Sequence, residues 1–94
     1  MKFKLVDWQA KRAGAIVGTA TVTFDDYLTV KITVLVGKNG LWAALPSRKW
    51  TNKQGKDTYD RLVEFADKSL ADRFQKALLG KLAERYPEDF AQAA

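Results

Sequence analysis

The stretch of sequence that decides the fold is AIVGTATVTF at residues 15–24, followed closely by LTVKITVLV at residues 28–36. In both segments apolar and polar residues alternate, and β-branched side chains dominate. Such alternation is typical of a strand that buries one face, and β-branched residues pack well on a pleated surface. The two segments therefore predict neighbouring strands of one antiparallel sheet.

The connection Asp25-Asp26-Tyr27 sets the register of these two strands. A three-residue loop pairs Phe24 with Leu28 and keeps apolar residues opposite apolar residues, whereas a two-residue loop would mix the faces. We therefore predict the three-residue loop, with Asp26 or Tyr27 in the left-handed region. The further pairs predicted are Val22 with Val30, Ala20 with Ile32 and Gly18 with Val34.

A third strand is predicted after the turn at residues 37–40, where two glycines can adopt positive φ. A four-residue loop continues the apolar face across this strand and places Trp42 on the other face, opposite Leu35. The pairs predicted are Val36 with Leu41, Val34 with Ala43 and Ile32 with Leu45.

The flanking segments are less regular. Residues 3–8 form a short apolar run that predicts a strand, and residues 46–57 are polar and basic, which indicates a loop or a hairpin tip. Residues 58–65 regain strand character, with Tyr59, Val63 and Phe65 on one face.

A C-terminal helix is predicted by an apolar stripe with a four-residue repeat, capped at its start by Asp67 or Ser69 and ended by Pro87. The stripe consists of Leu70, Phe74, Leu78 and Leu82. We therefore expect an α+β fold: a four- to five-stranded antiparallel sheet with one C-terminal helix packed on one face. Residues 1–87 would form the single domain, and residues 88–94 a short tail that is either disordered or ends in an amphipathic turn through Phe90.

Two residue types are missing, since the chain of 94 residues contains neither histidine nor cysteine. Without cysteine there are no disulfides or thiolate metal sites, and without histidine the commonest general base is lost. We therefore expect no enzyme activity, metal site, cofactor or small-molecule substrate. Charges interrupt the N-terminal apolar residues and no uncharged stretch could span a bilayer, so we expect no membrane association and a cytoplasmic location.

Positive charge is concentrated in the first two-thirds of the chain. Residues 1–61 carry 11 Lys or Arg against 5 Asp or Glu, whereas residues 62–94 carry 5 against 6. A basic segment of this kind favours polyanions such as nucleic acid, although solubility alone is the competing interpretation.

Two linked motifs resemble a known family. Residues 37–42 (GKNGLW) and 46–49 (PSRK) resemble the NGLF-like turn and PSRK-like motif of the SpoVG (septation protein) family, and residues 55–59 resemble its return strand. The order of elements agrees over roughly residues 3–82 and most closely over 19–65. The resemblance implies an antiparallel sheet of four or five strands with a C-terminal helix, a homodimer, and a regulatory protein that binds DNA or RNA. By matched position, Arg48 and Lys49 would be the first phosphate contacts.

The candidate binding residues are five cations interleaved with aromatic residues between positions 48 and 61. They are Arg48, Lys49, Lys53, Lys56 and Arg61, with Trp50 as a candidate for base stacking. Trp50 could instead pack on the sheet or in a dimer contact. We expect Trp42 to be covered by a partner subunit rather than to meet a polynucleotide, because one helix covers only one sheet face.

The sequence therefore predicts a nucleic-acid-binding regulator of SpoVG-like type that contacts phosphates through a basic loop. The alternative is a protein-interaction module that binds an acidic protein and no nucleic acid. Asp25 and Asp26 are paired carboxylates, but aspartate occurs in turns because its side chain hydrogen-bonds to nearby backbone groups. We therefore assign them no catalytic or metal-binding role.

Overall fold

The computed structural model describes residues 2–90, which form an α+β fold. The elements are β1 (Phe3–Ala13), β2 (Ile16–Phe24), β3 (Leu28–Gly37), β4 (Gly40–Ala44), β5 (Ser47–Thr51), β6 (Asp57–Arg61), α1 (Lys68–Arg85) and α2 (Pro87–Phe90). Strands β1 to β4 form an antiparallel sheet in chain order, and β5 and β6 form a separate two-stranded sheet. The predicted α+β fold, a four- to five-stranded antiparallel sheet with one C-terminal helix, is confirmed with four strands in the main sheet. Residues 91–94 of the expected tail lie outside the described residues.

The register between β2 and β3 is the predicted one, because Phe24 pairs with Leu28 and Val22 with Val30. The loop departs from expectation in its backbone: Asp25 (φ 49°) and Asp26 (φ 63°) both occupy the left-handed region, and Tyr27 does not. Short aspartate side chains tolerate this region better than an aromatic residue. Asp25 also accepts a hydrogen bond from the Lys2 backbone N–H (3.1 Å), which fastens the start of β1 to this turn.

Strand β4 pairs with β3 in the predicted register, with Val34 opposite Ala43 and Leu35 opposite Trp42. An additional pair, Gly37 with Gly40, shortens the loop to two residues, and of these two glycines only Gly40 has a positive φ (106°). The strand ends at Ala44, so the predicted pairing of Ile32 with Leu45 does not form.

Strand β1 is longer than predicted, since it continues from residue 8 to Ala13. Residues 9–13 are polar or small and exposed, so they carry no apolar alternation that would reveal a strand. Backbone pairing with β2 holds them instead, with irregularities between Leu5 and Asp7 and between Ala10 and Ala13.

Helix α1 covers the inner face of the sheet, defined by its buried residues Ala20, Val22, Val30, Ile32 and Val34. Phe74, Leu78 and Leu82 of the predicted stripe are buried, and Leu70 is half-buried. Asp67 rather than Ser69 is the N-cap, and its carboxylate accepts a hydrogen bond from the Ser69 N–H (2.8 Å). The outer face, which carries the threonines of β2 and β3, is left uncovered by α1.

The core continues past Pro87, which follows the end of α1 and begins α2. Proline suits this position because the first N–H of a helix has no intrahelical partner. Phe90 is buried and its ring packs 5.1 Å from that of Trp8, whose indole N–H donates to Asp89 (2.9 Å). The last turn of the described chain therefore completes the core around Trp8, a residue to which the sequence assigned no position.

The predicted strand over residues 58–65 is wrong beyond Arg61, where β6 ends. Residues 62–65 instead carry the chain from β6 towards α1, so that Phe65 packs against Phe24 and Phe74 at ring distances of 6.1 and 5.2 Å. The alternating pattern of residues 58–65 therefore has two sources. Its first half is the exposed strand β6, and its last residue, Phe65, packs the connection to α1 against the core.

Candidate nucleic-acid interface

The β5–β6 hairpin (residues 47–61) holds all the candidate binding residues. Its strands pair from Ser47 with Arg61 to Thr51 with Asp57. The tip is shaped by Asn52, whose side-chain oxygen accepts hydrogen bonds from the N–H groups of Gln54 (2.9 Å) and Lys56 (3.0 Å). This side chain satisfies backbone donors that the turn would otherwise leave to water, and it fixes the segment that carries Lys53 and Lys56.

The hairpin stands apart from the four-stranded sheet. Every residue of β5 is exposed, and of β6 only Thr58 is half-buried. The hairpin belongs to a sheet of its own, and a hydrogen bond from the Leu62 N–H to the Pro46 carbonyl (3.1 Å) closes its base. Its cations are therefore held on a protruding element with water on nearly every side.

Strand alternation gives the hairpin two different faces. Arg48 pairs with Asp60 and Trp50 with Thr58 on one face, which we call the Trp50 face. Lys49 pairs with Tyr59 on the opposite face, called here the Tyr59 face, which also carries Arg61. Trp50 is 44% exposed and Tyr59 is 65% exposed, so one face presents an aromatic ring beside Arg48 and the other an aromatic ring beside Lys49 and Arg61.

Three of the candidate cations are engaged in ion pairs. The pairs are Arg48 with Asp60 (3.3 Å), Lys49 with Asp57 (3.2 Å) and Arg61 with Glu64 (3.4 Å). All the partners are more than half exposed, so each pair is worth only about 0–1 kcal/mol. Lys53 and Lys56, at the tip, take part in no ion pair within residues 2–90.

All six predicted binding residues are thus brought together on one element and exposed. Trp50 is 44% exposed and is not among the residues that pack against the buried core, so its role in base stacking or in a dimer contact stays a prediction. The sequence did not predict which cation pairs with which carboxylate. Lys49 meets Asp57 because β5 pairs with β6, although the two residues are eight positions apart in the chain.

A groove that the sequence did not reveal lies between the hairpin and the four-stranded sheet. It has a volume of about 1180 Å³ and is lined on the sheet side by Lys31, Leu35 and Trp42. On the hairpin side its lining includes Tyr59 and Arg61, and Lys68 contributes from the first residue of α1. No local signal in the sequence could have identified this groove. Its walls come from β3, β4, the hairpin and α1, which are separated along the chain.

A comparison with known proteins places this arrangement in a family. The SpoVG family model matches residues 2–84, which include all six strands and all but the last residue of α1. The chain belongs to the SpoVG family. A protein of Archaeoglobus fulgidus named "Putative septation protein SpoVG" is 30% identical over 71 residues, which are 74% of this chain and 84% of the relative. No solved structure gives a significant match.

The SpoVG resemblance seen in the sequence is therefore confirmed, and its two motifs have clear places in the fold. The residues of the NGLF-like motif close the β3–β4 turn and begin β4, and the PSRK-like motif begins the hairpin. The two motifs follow one another in the chain, and Trp42 of the first and Pro46 and Ser47 of the second line the groove. Across residues 2–90 of this SpoVG-family chain, no helix is long and apolar enough to cross a membrane.

Proposed function

We propose that this SpoVG-family protein is a nucleic-acid-binding regulator that contacts phosphates of DNA or RNA through the β5–β6 hairpin. The observation that carries the proposal is the concentration of five cations on one protruding element, with Lys53 and Lys56 unpaired at its tip within the described chain. Cations that neutralise phosphates release condensed counterions, so they supply affinity without sequence preference.

Arg48 and Lys49 belong to this phosphate-binding set although carboxylates hold them in the free protein. Exposed ion pairs contribute little free energy, so a phosphate can replace the carboxylate at small cost. The tip lysines would make the first contact and the paired cations would exchange partners afterwards.

The proposal includes a homodimer in which a second copy packs against the Trp50 ring and leaves Arg48, on the same face, open to phosphate. A two-stranded hairpin that lacks a covering layer is marginally stable in water, and Trp50 is large, apolar and exposed. Light scattering at tens of micromolar protein would then give the mass of a dimer, and a monomer mass would contradict this part of the proposal.

The protein would act in the cytoplasm by binding and not by catalysis. The absence of histidine and cysteine from the whole chain supports this view, because it removes the side chains most often used as base and nucleophile. No small-molecule substrate is part of the proposal.

The deciding experiment measures binding to single- and double-stranded DNA and RNA over a series of salt concentrations. Replacing Lys53 and Lys56 by alanine should weaken binding to every nucleic acid. It should also reduce the slope of log K against log salt by about 1.4–1.8, because each neutralised phosphate contributes about 0.7 on a single strand and about 0.9 on a duplex. The combined Arg48→Ala and Lys49→Ala changes should also weaken binding.

A matched control removes two exposed cations elsewhere, Lys11 in β1 and Lys76 in α1. It changes the net charge equally and should leave the salt slope close to that of the unaltered protein. The proposal fails if no nucleic acid binds at low salt, or if the hairpin and control variants lose affinity equally.

A second candidate is a protein-interaction module whose partner is an acidic protein. The three ion pairs favour it, because the same cations already accept carboxylates as partners. Purified protein would then carry a stable acidic partner, and its ultraviolet absorbance ratio would be that of protein without bound nucleic acid. Nucleic acid that co-purifies and is removed by high salt would decide for the first candidate.

A further inference from the structure

The Trp42 ring lies against the backbone of β3 although the residue is 44% exposed. A Cβ built on Gly37 would lie 3.3 Å from the indole nitrogen, so one edge of the ring rests against this glycine, near the end of β3. Strand pairing with Leu35 places the ring on the outer face of the sheet, where it lines the groove. An exposed ring held in this way needs little further ordering when a flat ligand stacks on it.

The groove is cationic as well as aromatic. Lys31, Arg61 and Lys68 line it together with one carboxylate, Glu64, which is already paired with Arg61. Tyr59 contributes a second exposed ring from the opposite wall. Rings flanked by cations are the arrangement by which proteins hold single-stranded nucleic acid, with bases on the rings and phosphates on the cations.

We propose that this groove binds an unpaired stretch of DNA or RNA, with a base stacked on Trp42 and neighbouring phosphates near Lys31, Arg61 and Lys68. The inference rests on the proposed nucleic-acid function and adds to it a class of ligand, single strands. In a duplex the faces of the bases are covered by their neighbours, so they cannot stack on a ring inside a concave groove. This assignment replaces the partner subunit that the sequence led us to expect over Trp42.

The groove shares one face of the hairpin with Lys49, one of the proposed phosphate contacts. Lys49 lies on the Tyr59 face, which also supplies the groove residues Tyr59 and Arg61. A single strand whose phosphates meet Lys53 and Lys56 at the tip can therefore follow this face down to Trp42. An acidic peptide would satisfy the same cations, but it carries no row of flat rings for Trp42 and Tyr59, so we favour nucleic acid.

The test compares a ten-residue oligothymidylate with a DNA duplex of equal charge and with polyglutamate, at one low salt concentration. Trp42→Ala should weaken oligothymidylate binding about 5- to 150-fold, the range for removal of one stacked base. Duplex binding should change less than twofold. Trp42→Phe should retain most of the affinity, which separates loss of stacking from loss of folding.

Tyr27→Ala provides the matched control, since Tyr27 is an exposed aromatic residue in the β2–β3 turn, outside the groove. It should leave oligothymidylate binding unchanged. In a Trp50→Phe background Trp42 is the one exposed indole, because Trp8 is buried, and oligothymidylate should quench its fluorescence in a saturable manner.

Several results would overturn the inference while leaving the proposed function intact: equal loss of single-strand and duplex affinity in Trp42→Ala, no loss of either, or shielding of Trp42 from iodide in the free protein. Polyglutamate binding that depends on Trp42 as strongly as oligothymidylate binding would assign the groove to acidic proteins. Failure of every nucleic acid to bind would instead overturn the proposed function, and the inference with it.

Discussion

The body of the molecule (β1–β4 with α1 and α2) and the β5–β6 hairpin are built on different physical principles. In the body, Phe74 is 2% exposed and its ring lies 5.0–5.2 Å from those of Phe3, Phe24 and Phe65. In the hairpin nearly every residue is exposed, and the contacts are strand pairing, an asparagine turn and surface ion pairs.

Under the proposed function, this difference separates the part of the chain that supplies stability from the part that binds. Burial of apolar surface stabilises the body, whereas the weak contacts of the hairpin leave its cations accessible. Substitutions in the body should therefore change the free energy of unfolding, and substitutions in the hairpin should change binding with little effect on folding.

The largest effect is expected for Phe74→Ala, which should lower the free energy of unfolding by about 3–5 kcal/mol because it leaves a cavity among packed rings. Tyr59→Ala in the hairpin should lower it by less than about 0.5 kcal/mol. Urea denaturation followed by circular dichroism would measure both. A comparable loss in the two variants would show that the hairpin is part of the cooperative core.

A smaller loss is expected for Gly18→Ala in β2. An added Cβ would lie 2.5 Å from the Gln9 carbonyl oxygen and 2.6 Å from the Trp8 ring, so the variant should lose about 1–3 kcal/mol or more. Gly80→Ala in α1 is the control, since it meets open space and should gain up to about 1 kcal/mol. Thermal unfolding would order the two variants, and the reverse order would contradict the packing of Trp8 against β2.

The hairpin should respond to removal of its acidic residues by a gain in binding. Asp57→Asn together with Asp60→Asn frees Lys49 and Arg48, and affinity for nucleic acid should rise by up to about fivefold for each carboxylate. The matched control, Asp7→Asn with Asp72→Asn, removes the same charge from the body. If both double variants gain equally, net charge rather than the release of these cations is responsible.

The smallest effect concerns the stability contributed by an ion pair of the hairpin. A double-mutant cycle on Arg48 and Asp60 should give a coupling energy of about 0.5 kcal/mol or less, falling towards zero in 1 M salt. A coupling above about 2 kcal/mol, measured in chemical denaturation, would mean that the pair is desolvated, contrary to its exposure.

Local pattern was sufficient to predict the β2–β3 pair and the buried face of α1. Alternation in β2 and β3 and the length of the Asp25–Tyr27 loop gave their register, and the four-residue repeat identified the helix residues that pack on the sheet. These features are properties of neighbouring residues. The register and the packed helix residues could be predicted from the sequence because one face of each element is buried, which imposes a periodic apolar pattern.

The rest depended on contacts between distant segments. The strand at residues 9–13 carries no apolar pattern, and the burial of Trp8 requires Asp89 and Phe90 from the other end of the chain. The candidate cations were predicted from composition, but the groove was not, since its lining combines Trp42 with residues of the hairpin and α1. No spacing along the sequence encodes that placement.

The hydrogen bond from Trp8 to Asp89 has a consequence for synthesis of the protein, because it joins positions 81 residues apart. At about 5–20 residues per second, the ribosome needs roughly 4–16 s to add Asp89 after Trp8. During that interval the β1–β2 pair can form, but the indole has no cover from Phe90. Until Phe90 is added the indole lacks one of the rings that cover it, and a chain that stopped before Asp89 would lack both this ring and the hydrogen bond.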